Sequence, residues 1–161
     1  QVEKFIPPKK GKKHVLHIIR ELLVFKPESK KTDIAGALKY FTNAIKKRST
    51  AFIISDFMDS GFERTLSIAN NKHDIAALQV YDIREAEIPN VGMIKIKDAE
   101  TSERIWIDTS DKRLRTAYKH QWNERQLQLQ KIFKQSGVDS VSMSTSDDYV
   151  RAMMKLFKLR A

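Results

Sequence analysis

Two short apolar runs, Thr50–Ser55 (TAFIIS) and Asp74–Tyr81 (DIAALQVY), show no regular alternation of polar and apolar residues. A strand with one wet face alternates with period two, so runs of this kind read as strands covered on both faces, as in parallel sheets. Between them Phe62, Leu66 and Ala69 recur at helical spacing. The segment therefore predicts a strand–helix–strand unit in a parallel sheet, which needs helices on its faces to be stable.

The flanking sequence extends this pattern. Pro7-Pro8 before Lys9-Lys10-Gly11 predicts an exposed, extended lead-in. Val15, Leu16, Ile18, Ile19, Leu22 and Leu23 predict a helix over 12–25, closed by Pro27. A second helix is predicted with Thr32 as its N-cap and Asp33 in its first turn. Its buried face is Ile34, Ala37, Leu38, Phe41 and Ile45, and it runs out in Lys46-Lys47-Arg48.

Residues 93–97 and 104–108 alternate apolar and polar side chains around Asp98-Ala99-Glu100-Thr101-Ser102, which predicts an antiparallel hairpin inserted at about 90–109. A long helix at about 112–136 stops at Gly137, a strand follows over 138–144, and a last helix occupies 147–160. Met153, Met154, Leu156 and Phe157 are expected to face the core there. The order α-α-β-α-β-(ββ)-α-β-α predicts an α/β fold, a three-layer Rossmann-like, mostly parallel sheet with an added β-hairpin. Residues 1–161 read as a single domain or part of one.

Composition narrows the function classes. Cysteine is absent, which removes disulfides, thiol nucleophiles and thiolate metal sites. There is no 18-residue apolar run and no signal segment, and a cytoplasmic location is expected. The net charge is +10, of which residues 1–31 carry +6, nine basic side chains against Glu3, Glu21 and Glu28. Such an end attracts nucleic acid, acidic lipid or an acidic protein surface. Nucleic-acid binding through it is the alternative function, disfavoured because exposed aromatics do not interleave with the basic residues.

The chain has no glycine-rich phosphate loop and no nucleophile elbow. Its best site signal is Ser55-Asp56 at the end of the first buried strand, where ligands of open α/β sheets bind. Asp56 with the Thr32 hydroxyl suits a hard cation such as Mg²⁺. Equally, Asp56 caps the next helix and Thr32 its own. His14 and His17, three apart on one helix, have the spacing for zinc but no third ligand in view, and read as solvated residues. His73 and His120 have no visible catalytic companions. The acids of Asp82, Glu85 and Glu87 read as a solvated turn.

Several segments in order carry a resemblance: FIPPKKGKKHVLHIIRELLVFKP, TDIAGAL, ISDF at 54–57, KHDIAALQVYD at 72–82, the E-I-P-N-V-G turn at 87–92, KDAET at 97–101 and DDYVRAMMKLFKLR at 147–160. Over nearly its whole length the chain resembles a bacterial family of unknown function with a von Willebrand factor A-like fold, whose genes neighbour those of MoxR-type AAA+ ATPases. That resemblance implies a non-catalytic protein-binding module acting with such an ATPase or its client in assembly or maturation. It also implies a metal-dependent adhesion site in which Thr32 and Asp56 are two ligands. The third element, an Asp-x-Ser-x-Ser motif, is absent from this sequence. The family carries it upstream of the Phe5-Ile6-Pro7-Pro8 segment, so the N-terminal part of the domain is expected to be missing, the site to be incomplete, and Mg²⁺ to bind only in the intact parent. A sheet cut at that point exposes a strand edge, and a homodimer through such edges is expected.

Overall fold

A computed structural model describes residues 2–29, 31–97 and 104–160. The elements are α1 (Lys12–Val24), α2 (Ile34–Ala44), β1 (Thr50–Ser55), α3 (Glu63–Lys72), β2 (Asp74–Tyr81) and α4 (Ile83–Ala86). They continue with β3 (Met93–Lys97), β4 (Arg104–Asp108), α5 (Lys112–Gln135), β5 (Asp139–Ser144) and α6 (Tyr149–Leu159). Strands β1, β2 and β5 form a parallel sheet in that order, and β3 pairs antiparallel with β4 in a separate two-stranded ribbon. The predicted α/β architecture with its hairpin is present. The expected hairpin turn at Asp98–Ser102 lies outside the described residues.

The central strand sorts the helices into layers. Ile75 and Ala77 of β2 join Ile34, Leu38, Phe62, Leu66, Leu129 and Phe133 in one core, which places α2, α3 and α5 on that face. Ala76 and Leu78 point the other way and pack with Val141 and with Leu156 of α6. The period of two along β2 is therefore hidden, because both faces are apolar.

Strand β1 departs from expectation. It is not covered on both faces: burial alternates along it, and Phe52 and Ile54 are exposed. The reason is position. In this chain β1 is the outer strand, and α6 reaches only as far as a ring contact of 6.4 Å between Phe157 and Phe52. The last helix is likewise only partly core-facing. Leu156 is buried and Met153 packs beside it, but Met154 and Phe157 are exposed.

Three local readings are corrected. Thr32 is not the N-cap of α2. Asp33 is, its Oδ1 accepting the Gly36 N–H at 2.7 Å, and that bond holds its carboxyl below the usual range. The helix ends at Ala44, before Lys46-Lys47-Arg48. The acids after β2 form not a solvated turn but α4, closed by a capping box between Asp82 and Glu85. The apolar stripe of α1 (Val15, Leu16, Ile19, Leu22, Leu23) faces solvent. Among the described residues no helix is long and apolar enough to cross a membrane.

Candidate functional site

The site forms where β1 ends. Ser55, its last residue, donates from Oγ to Asp56 Oδ1 at 3.3 Å and accepts the Phe57 N–H at 3.1 Å. The Met58 N–H also donates to Asp56 Oδ1, at 3.1 Å. Both bonds fall on one carboxylate oxygen, and among the described residues Oδ2 has no hydrogen-bond partner. The Asp56 carbonyl accepts the Gln79 side-chain amide at 3.3 Å, and the Ser142 hydroxyl donates to Gln79 Oε1 at 2.8 Å. Gln79 is buried. The Asp56 backbone is thus tied across all three strands by a satisfied polar relay, which fixes its position more tightly than a loop alone could.

Phe57 then turns the chain sharply. Its φ of 57° is a left-handed conformation that L side chains with bulk adopt at a cost of about 1–2 kcal/mol. Burial of its ring against Phe133 (5.0 Å between centroids) and Phe62 (6.0 Å) holds it there. The turn brings Asp59 back to the start of α2, where its Oδ2 accepts the Ile34 N–H at 2.8 Å while Oδ1 accepts the Ser60 N–H at 2.8 Å. Helix α2 is thus capped twice, locally by Asp33 and across 25 residues by Asp59.

This clamp brings Thr32 and Asp56 together. Both line one open depression of about 450 Å³ at the carboxyl ends of the parallel strands, with Asp82, Glu85 and Thr145 on its other walls. Thr32 is exposed, and its hydroxyl has no hydrogen-bond partner among the described residues. Mg²⁺ takes about six oxygens in near-octahedral geometry. Thr32 Oγ1 and Asp56 Oδ2 are oxygen donors of the right kind for part of such a shell. They are not a complete set, and among the described residues no group of three or more His, Cys, Asp or Glu is placed to hold a metal. Asp56 does not cap α3; that helix begins after Phe62 without a side-chain cap.

The histidines are separate from this site. His14 and His17 lie 6.3 Å apart by ring centroid on α1, with His17 beside Glu21. His120 is exposed on α5 near Glu124. His73 is buried against Phe41, centroids 4.5 Å apart, with neither ring nitrogen hydrogen-bonded among the described residues. Asp59, Gln79 and Ser142 were missed in the sequence. Asp59 stands in a loop with nothing local to mark its reach to Ile34. Gln79 was hidden as one polar residue in an apolar strand, though a buried amide always needs partners.

The profile of a family described as "Protein of unknown function DUF58" matches residues 1–128. The chain belongs to that family. The DUF58 match includes Thr32, Asp56 and both strands of the hairpin, and it ends within α5. The chain is 25% identical over 135 residues to the uncharacterized protein MAV169 of Mycobacterium avium, covering 83% of this chain and 79% of that protein. It is 29% identical over 99 residues to the uncharacterized proteins Mb1516 of Mycobacterium bovis and Rv1480 of Mycobacterium tuberculosis. Those alignments take in 60% of this chain and 31% of each relative, so the chain spans under a third of their length. No solved structure matches it.

Proposed function

We propose that this chain is the carboxyl-terminal part of a non-catalytic, protein-binding module of von Willebrand factor A type, in which Thr32 and Asp56 are two ligands of a Mg²⁺ adhesion site. The supporting observation is that Thr32 and Asp56 line one depression at the carboxyl ends of the parallel strands, with the Thr32 hydroxyl and Asp56 Oδ2 unbonded among the described residues. In a longer protein the Asp-x-Ser-x-Ser segment would supply the remaining ligands. A bound Mg²⁺ would there contribute a positive charge able to accept a carboxylate from a partner.

This chain's own residues do the positioning. Gln79 and Ser142 fix the Asp56 backbone, and Ser55 and the Met58 N–H occupy Oδ1, which leaves Oδ2 without a partner among the described residues. Asp59 holds the start of α2, and with it Thr32, against the same loop. The resemblance to a family encoded beside MoxR-type AAA+ ATPases makes such an ATPase, or its client, the partner in this reading, in the cytoplasm, with the basic first segment steering an acidic surface toward it.

The test is Mg²⁺ titration calorimetry on a form of the protein extended upstream to include Asp-x-Ser-x-Ser, beside its Asp56→Ala variant. Binding that is present in the extended form and lost in the variant is expected. Equal Mg²⁺ affinity in both defeats the assignment.

A further inference from the structure

A second cavity, of about 500 Å³, adjoins the Thr32–Asp56 depression and shares Thr32 with it. Its walls are the lead-in to α2, the loop from Phe57 to Ser60, the start of α3 and the second half of α5. No residue of β1 lines it, so its shape does not depend on what lies beside that strand.

The charged groups of this cavity are unequally engaged. Asp59 uses both carboxylate oxygens on backbone N–H groups, those of Ile34 and Ser60. Among the described residues Arg125 has one hydrogen-bond partner, and it is a thioether: Nη1 lies 3.0 Å from Met58 Sδ. Sulfur is a weak acceptor, whereas a guanidinium carries five donors in a planar fork that matches a carboxylate. The Lys31 ammonium has no ion pair, and the Gln128 amide no hydrogen bond, among the described residues.

Lys31 and Arg125 face two acids, Asp59 and Glu63, so formal charge in the cavity balances. A compact dianion such as phosphate therefore gains little net attraction. What the cavity offers instead is geometry: the Arg125 fork, the Gln128 amide and the hydroxyls of Thr32 and Ser60 suit one planar carboxylate. Phe57, Phe62 and Leu129 are buried beneath, a closed apolar floor on which side-chain methylenes can rest. The chain's net charge of +10 draws acidic partners toward it.

We propose that this cavity is a docking subsite for a glutamate or aspartate side chain of an acidic protein segment, its carboxylate taken by Arg125 and Lys31 in place of Met58. The shared wall at Thr32 lets the same segment continue into the neighbouring depression, and only that continuation rests on the adhesion-site reading. The subsite itself needs no metal, so it is measured with a chelator present.

The test follows Met58 by nuclear magnetic resonance in protein with isotope-labelled methionine methyl groups. The chain has 5 methionines, and Met58→Leu identifies the signal. Titration with a hexaglutamate peptide should move the Met58 signal saturably. Arg125→Gln, at an exposed position of α5, should keep the far-ultraviolet circular dichroism spectrum and weaken binding about tenfold, the scale of one lost charged contact. Lys31→Gln is an independent second variant and should weaken binding in the same direction. The basic first segment also attracts glutamate, so the comparison replaces Lys9, Lys10, Lys12 and Lys13 by alanine. That protein should bind less tightly overall and still shift Met58 at saturation. A Met58 signal that stays in place at saturating peptide overturns the proposal, as does equal binding by the parent and Arg125→Gln. A shift produced by inorganic phosphate and not by hexaglutamate overturns the carboxylate assignment. Neither Mg²⁺ nor Asp56 enters these measurements, so the subsite and the adhesion site can fail separately.

Discussion

The carboxylate of Asp59 accepts the backbone N–H of Ile34 at 2.8 Å, bonding the loop after β1 to the first turn of α2. These residues lie 25 apart in sequence. The bond offers a negative charge to a helix amino terminus, where the unpaired N–H groups and the macrodipole both favour it. Through it the exposed Thr32 and the strand-end Asp56 are kept at one depression.

Asp59→Ala should destabilise the fold by about 1–2 kcal/mol, the range for losing a cap or a charge-assisted hydrogen bond. Asp59→Asn, which keeps an acceptor at the same reach, should recover most of that. Urea unfolding of the three proteins side by side measures it. An alanine variant as stable as the parent would mean that Asp33 alone holds α2.

Phe57 tests whether the turn beside Asp56 stores strain. Truncation to alanine should cost about 3–5 kcal/mol, the range for emptying a buried aromatic site. Glycine normally weakens a site by about 0.5–1 kcal/mol relative to alanine, but at φ 57° it alone carries no steric penalty. Phe57→Gly should therefore be at least as stable as Phe57→Ala. Chemical denaturation gives the order directly, and a glycine variant clearly below the alanine one contradicts the strained backbone.

His73 buries two ring nitrogens that have no hydrogen-bond partner among the described residues, beside the Phe41 ring. An unsatisfied buried polar group costs about 1–3 kcal/mol. His73→Phe keeps an aromatic of similar size and removes both orphans. It should raise the thermal midpoint by several degrees, on the scale of about 1 kcal/mol of added stability. A lower midpoint would show that the cavity does not accept the larger ring.

Arg160 joins three elements: it pairs with Asp74 at the start of β2, lies 3.3 Å from Asp139 of β5, and donates to the Ile75 carbonyl at 3.3 Å. Its bond to Asp74, aided by the Thr50 hydroxyl, holds the Asp74 carboxyl below its ordinary range. A carboxylate with a depressed folded pKa adds stability above its unfolded value, about 3.9, and that share is lost as pH falls through the folded value. Stability should thus decline below about pH 4, and Asp74→Asn should flatten that limb. Arg160→Ala should cost about 1 kcal/mol at neutral pH, modest because Asp74 is substantially exposed. Denaturant midpoints measured from acid to neutral pH supply both comparisons.

Much of the fold was legible residue by residue. DIAALQVY reads as a buried strand because both its faces are apolar, and β2 spans Asp74–Tyr81 as expected. The alternation of 93–97 and 104–108 reports one wet face, and those residues pair as a ribbon. TAFIIS carries the same apolar signature as β2 yet lies half exposed, because composition reports what a strand can bury and neighbours decide what it does bury. The nomination of Thr32 as a cap failed for a smaller reason: Asp33 is adjacent, and its carboxylate is the stronger acceptor for the same N–H groups.

The sequence by itself determined the order of elements apart from the short α4, their boundaries within a few residues, and the presence of Asp56 at a strand end. These follow from local periodicity and turn chemistry, which act between near neighbours. The tertiary structure decided that Asp59 returns to Ile34, that Gln79 and Ser142 brace Asp56 across three strands, and that β1 is the outer strand of the sheet among the described residues. Each of these is a contact between residues far apart along the chain. Such contacts are set by how the packed layers align, which no local pattern encodes.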